Sequence, residues 1–158
     1  MIYLLVLLVM AMVIGPVMWM KPSAGQQRLA RMRMRARKLG LDIRVTELPQ
    51  THRATVRRED VLQGAVYRIP VHDPRKVLPL NYRCVRDLLR GEWEFEGKAL
   101  PAPLQQIVEA AQQQLPGDVV AIELGPQGPG VYWREAGDEA AVDAVAARLR
   151  LMFDAMQV

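Results

Sequence analysis

Hydrophobic and polar positions alternate in three different ways along this chain. From Ile2 to Met20 there is no alternation: Leu, Val, Met and Ile dominate and no side chain is charged. A helix rising about 1.5 Å per residue over that stretch nearly covers a bilayer core of roughly 30 Å. The pattern therefore predicts a transmembrane anchor over residues 1–20. A cleaved signal peptide fits less well, since no Lys or Arg precedes Ile2 and Trp19-Met20-Lys21-Pro22 offers no small-x-small site. Gly15-Pro16 predicts a bend, and Tyr3 and Trp19 place aromatic rings near the two ends.

A helical period takes over after Pro22. Ser23 is positioned as an N-cap, strong helix formers run from Gln26 to Leu39, and Gly40 stops them. Leu29, Met32, Ala36 and Leu39 form one narrow stripe, flanked by arginines on both sides. The expectation is a basic juxtamembrane helix over residues 21–40.

From Leu41 onward the pattern is that of an α+β body, residues 41–158. Period-two alternation predicts strands at 41–46 and 65–71, the second at a sheet edge because of Pro70. Residues 49–63 read as loop with a turn near Arg58-Glu59-Asp60. A hairpin is expected between 82–89 and 92–96, with Leu88 opposite Trp93 and Arg86 opposite Phe95. Pro101 and Pro103 open a helix that Pro116-Gly117 closes, strands follow at 119–124 and 131–135, and Asp138 caps a last helix. The expected architecture is a small antiparallel sheet with two helices on one face. Those apolar faces further imply that residues 41–158 fold alone.

Charge sharpens this division. Residues 21–58 hold eleven basic and two acidic side chains, whereas residues 59–158 hold ten and fifteen. Arg28, Arg31, Arg33, Arg35, Arg37 and Lys38 follow the apolar stretch with no acid before Asp42. The positive-inside rule then puts the body of a single-pass protein on the cytoplasmic side. The same six residues are candidates for contact with anionic lipid or a partner, each contributing about 1 kcal/mol near such a surface. The acidic remainder of the chain argues against nucleic acid.

Candidate chemistry is sparse. His52, His72 and the only cysteine, Cys84, have no metal-ligand spacing, and His72-Asp73-Pro74 is ordinary turn sequence. The run Gly125 to Gly130 lacks the Gly-Lys-Ser/Thr ending of a phosphate loop and joins two strands, so it reads as a hairpin loop. Trp93, Phe95, Tyr132 and Trp133 are core or interface aromatics rather than a base-stacking platform, and Tyr132 is the body residue expected to meet a partner. Glu92, Glu94 and Glu96 share one strand face, in solvent or against a basic partner. No catalytic constellation, cofactor or metal site is expected.

The layout resembles small single-pass inner-membrane proteins of proteobacteria. The apolar stretch, the Met20-Lys21-Pro22 exit and the segment Gly117-Asp118-Val119-Val120 through Gly128 and Gly130-Val131 also resemble YajC, the accessory subunit of the preprotein translocase. That similarity touches about a third of the chain, and here the glycine-rich hairpin lies far beyond the apolar stretch instead of close behind it. The resemblance implies an accessory role beside an inner-membrane complex and brings no catalytic residue. The expected function is a membrane-tethered, non-enzymatic interaction module. A small membrane-bound enzyme and an anionic-lipid sensor are the alternatives.

Overall fold

The computed structural model describes residues 1–19 and 22–157, with side chains from Gly15 to Trp19 outside the description. The side chain of Pro16, next to the expected bend, and the Trp19 ring thus lie outside the description, as do Met20 and Lys21. The chain divides into two compact units, Met1–Ala30 and Arg31–Val158, the boundary falling inside the basic helix instead of after Gly40.

The first unit contains α1 (Ile2–Trp19) and the start of α2 (Ala24–Lys38). The expected transmembrane helix is corrected here: no helix among the described residues is long and apolar enough to cross a membrane. α1 holds 18 residues, a rise of about 27 Å, against the roughly 30 Å of a bilayer core. Ser23 opens α2 through a reciprocal box, its Oγ accepting from Gln26 N at 3.2 Å while Gln26 Oε1 accepts from Ser23 N at 3.0 Å.

The second unit is α+β. Its strands are β1 (Asp42–Glu47), β2 (Gln63–Arg68), β3 (Tyr82–Arg86), β4 (Trp93–Gly97), β5 (Val119–Leu124) and β6 (Gly130–Trp133). They form one six-stranded sheet in the order β1-β2-β6-β5-β3-β4, with every pair antiparallel. The helices α4 (Ala102–Gln114) and α5 (Glu139–Met156) cover one face, as the periodicity implies. A third helix joins them: Met32 and Ala36 of α2 are fully buried in the same core as Tyr67, Trp133, Val145 and Met152. Tyr67 and Trp133 meet edge to face at 5.3 Å between ring centres.

Four local expectations change. Residues 49–63 contain a short helix, α3 (His52–Val56), because Thr51 Oγ1 accepts from Ala54 N at 3.2 Å and starts a turn. β2 ends at Arg68 and lies inside the sheet, so Pro70 is past the ladder rather than on an edge. In the β3–β4 hairpin Arg86 faces Trp93 and Cys84 faces Phe95, a slip of two residues from the expected register. Asp87 causes it: its carboxylate accepts from Leu89 N and Arg90 N, and its amide donates to Glu92 O, so residues 87–91 become loop. The Gly125–Gly130 run is a hairpin loop as expected. Gly128 holds φ +100° there, and a Cβ at that position would collide with Ile69 O.

Candidate functional site

The basic helix α2 is placed by its apolar stripe. Because Met32 and Ala36 enter the core, Arg33 is carried to one side of the stripe and Arg31 and Arg35 to the other. Each finds an acid. Arg33 makes a two-pronged contact with Glu135, Nε to Oε1 at 2.9 Å and Nη2 to Oε2 at 2.6 Å. Arg35 grips Asp143 at 2.8 and 3.2 Å, and Arg31 lies 3.3 Å from Glu139. Thus three of the six residues expected to meet lipid or a partner are turned onto the body itself. Arg37 and Lys38 are exposed and make no salt bridge among the described residues, while Arg28 is half-buried and engaged.

Glu135 is the centre of this arrangement. It sits just past β6 in the left-handed region, at φ 59°, a conformation uncommon outside glycine. Its side chain is 4% exposed, and Tyr67 Oη donates to Oε1 at 2.7 Å. Burial first, and then the bond to Glu135, push the Tyr67 phenol well above its ordinary range. The turn is held from behind by Asp118, which accepts from Trp133 Nε1 at 2.6 Å and Ala136 N at 2.7 Å. Sequence reasoning missed Glu135. The available signal was the matching spacing of Arg31 and Arg35 on one helix and Glu139 and Asp143 on another.

A second charged cluster lies on the opposite sheet face. Adjacent strands bring together Arg68 of β2, Arg83 of β3, Glu123 of β5 and Tyr132 of β6. Glu123 accepts from Arg68 Nη2 at 2.6 Å, Arg83 Nη2 at 2.6 Å and Tyr132 Oη at 3.1 Å. Burial raises the Glu123 carboxyl, but the two guanidinium groups outweigh it and hold the group below the usual carboxylate range. Tyr132, expected as a partner contact, is half-buried with its hydroxyl committed to Glu123. A depressed carboxyl contributes stability above its unfolded pKa, about 4.3 for Glu, and loses it as pH falls through the folded value. Glu123→Gln is therefore expected to cost about 2 kcal/mol at pH 7 and to narrow its difference from the parent at pH 3, as read from urea midpoints. A constant difference across that range would contradict the ion-pair role.

The remaining candidates are separated. Cys84 is buried, its thiol is pushed up by burial, and its Sγ accepts from Gln112 Nε2 at 3.3 Å. His52 and His72 are exposed. Among the described residues no group of three His, Cys, Asp or Glu is placed to hold a metal ion. Trp133 is core, whereas Trp93 and Phe95 lie at the outer end of the sheet. The α2 cluster sets three arginines against three carboxylates, and the sheet cluster commits two guanidinium groups to one carboxylate; both arrangements suit fixing α2 and the sheet. Comparison of the chain with protein-family models, with curated proteins and with solved structures finds no match.

Proposed function

We propose that this chain is a non-enzymatic interaction module attached to a membrane through α1, working beside a protein complex at the cytoplasmic face of a bacterial inner membrane. One observation carries the reading. Every large apolar side chain from Ile2 to Ile14 is at least 49% exposed, and they are distributed around the whole circumference of α1. A helix apolar on all sides has no face that favours water, so whichever face it turns to the acyl boundary of a membrane surface gains by leaving water. Attachment of α1 there would confine the body near a membrane and raise its effective concentration for other membrane proteins, so that weak contacts become occupied. The YajC resemblance points to the same accessory role. The buried thiol and the arginines committed to carboxylates within the body support the non-enzymatic part of the reading.

Of the six basic residues on α2, Arg37 and Lys38 are the ones available to anionic lipid without breaking a salt bridge, worth about 2 kcal/mol together. Attachment by α1 is an apolar contact and resists salt. The full chain should therefore sediment with vesicles of mixed neutral and anionic phospholipid and stay with them in a wash of about 1 M salt, where the Debye length is about 3 Å. Deleting residues 2–19 should release it. A full chain that stays in the supernatant, or leaves the vesicles with salt, would overturn the membrane attachment.

A further inference from the structure

We infer that the outer edge of β4 and the groove between β4 and α4 form a docking site for an extended, basic segment of a partner protein, which adds to the sheet as a seventh strand. The inference deepens the interaction-module reading of the body and rests on it.

β4 is the last strand of the sheet and pairs only with β3. The hydrogen bonds that close this hairpin run from Asp87 N to Glu92 O and from Lys98 N to Asn81 O. By antiparallel alternation the even-numbered residues between them turn their backbone groups toward β3. The N–H and C=O groups of Trp93, Phe95 and Gly97 are thereby directed outward, three successive positions of an open ladder. Beside this edge lies a depression of about 300 Å³. Tyr82, Trp93 and Phe95 line its sheet side, and Gln105, Glu109 and Gln112 of α4 line its helix side. Phe95 stacks on Tyr82 at 5.4 Å between ring centres and is still 55% exposed. An incoming residue opposite Phe95 would point into this depression, because paired residues share a sheet face.

Charge selects the occupant. The strand and its preceding residue carry Glu92, Glu94 and Glu96 with no base among them, and Glu109 adds a fourth carboxylate across the groove. Three cations lie against this strand: Arg53 pairs with Glu92 and Glu94, Arg83 stands opposite Glu96 in the β3–β4 ladder with its own guanidinium bonded to Glu123, and Arg86 lies over the Trp93 ring at 5.9 Å. Glu96 and Glu109 make no salt bridge among the described residues. A second copy is a poor occupant, since antiparallel β4–β4 pairing would set these glutamates against one another. The other edge, β1, alternates Asp42, Arg44 and Glu47 and pairs Arg44 with Asp42, so it selects no sign of charge. The fitting segment alternates apolar residues, facing the groove, with Lys or Arg on the other face near Glu94 and Glu96.

The test uses the full chain in a mild non-ionic detergent and three capped heptapeptides: Lys-Val-Lys-Phe-Lys-Val-Lys, the same with Glu for Lys, and the first peptide N-methylated at Val, Phe and Val. The first should bind at least about tenfold tighter than either of the others. Binding should slow amide exchange at Trp93, Phe95 and Gly97 at least about tenfold, while Glu94 and Glu96, already paired with β3, change little. Glu96→Lys with Glu109→Lys should weaken the first peptide about tenfold in a chain whose thermal unfolding is unchanged. Equal binding of the acidic or the N-methylated peptide, or binding without protection of those three amides, would overturn the proposal. Absence of peptide binding by a chain that still sediments with vesicles removes this site alone. Peptide binding by a chain that ignores vesicles leaves the site and removes the membrane attachment.

Discussion

Replacing Arg33 with alanine is expected to destabilise the body by about 3 kcal/mol, one of the two largest effects foreseen for this chain. The estimate follows from what is left behind. Glu135 is 4% exposed and would keep Tyr67 as a donor but lose both bonds from the guanidinium, at 2.9 and 2.6 Å. Breaking a buried pair by removing one partner costs about 3–5 kcal/mol, because the remaining charge stays out of water. The lower end applies since Arg33 is itself 30% exposed and water can reach toward Glu135 from that side. Replacing both partners, Arg33→Met with Glu135→Gln, should recover most of the loss: no charge remains, and the amide oxygen still accepts from Tyr67. Urea unfolding followed by the fluorescence of buried Trp133 reads both variants. A loss below about 0.5 kcal/mol for Arg33→Ala, the range of ordinary surface substitutions, would mean that the pair does not hold α2 down.

The same pair marks where sequence reasoning runs out. Elements specified by neighbours in the chain were legible. β5 has the expected bounds, α5 starts where Asp138 accepts from Ala141 N at 3.0 Å, and α4 falls between its flanking prolines. Met32 and Ala36 were legible as a stripe, but not what the stripe would meet. The hairpin slip arose because Asp87 reads as a strand residue in the alternating pattern, while its carboxylate is better satisfied by the amides of Leu89 and Arg90. The short α3 depends on one capping hydroxyl, too few residues for a period to emerge. Sheet order was not readable at all, since β2 lies beside β6 from more than sixty positions away in the chain, Ala65 facing Trp133. Sites made by such pairing were missed for the same reason. Arg68, Arg83 and Glu123 are unremarkable in sequence and become a cluster only when the four strands β2, β6, β5 and β3 are set side by side. For the apolar stretch the run of uncharged residues was plain, yet a run of uncharged residues does not by itself establish a helix long enough to cross a bilayer.

A fragment of residues 41–158 is expected to lose cooperative folding, whereas one of residues 22–158 should keep it. The apolar faces of α4 and α5 suggest self-sufficiency, but the core they form is closed by α2. Removing residues 1–40 empties the seats of the fully buried Met32 and Ala36, leaves Glu135 without Arg33, and strips Arg150 of its bond to Leu39 O at 3.2 Å. Emptying a buried methionine seat alone costs about 2–5 kcal/mol, and the loss of the Arg33 guanidinium from the buried Glu135 carboxylate about 3 more. Against a total stability of about 5–15 kcal/mol for a domain of this size, the combined loss leaves little or nothing. The longer fragment retains these contacts and the Ser23 cap that starts the helix. Circular dichroism with denaturant titration should give one sharp transition for residues 22–158 and a broad or absent one for residues 41–158. Equal midpoints would show α2 to be dispensable and would free its arginines for lipid. The predicted difference ties them down instead, because Arg33 cannot reach a lipid headgroup without abandoning Glu135 in a buried position. Any surface role of α2 then falls to the residues outside that pair, Arg37 and Lys38 first among them.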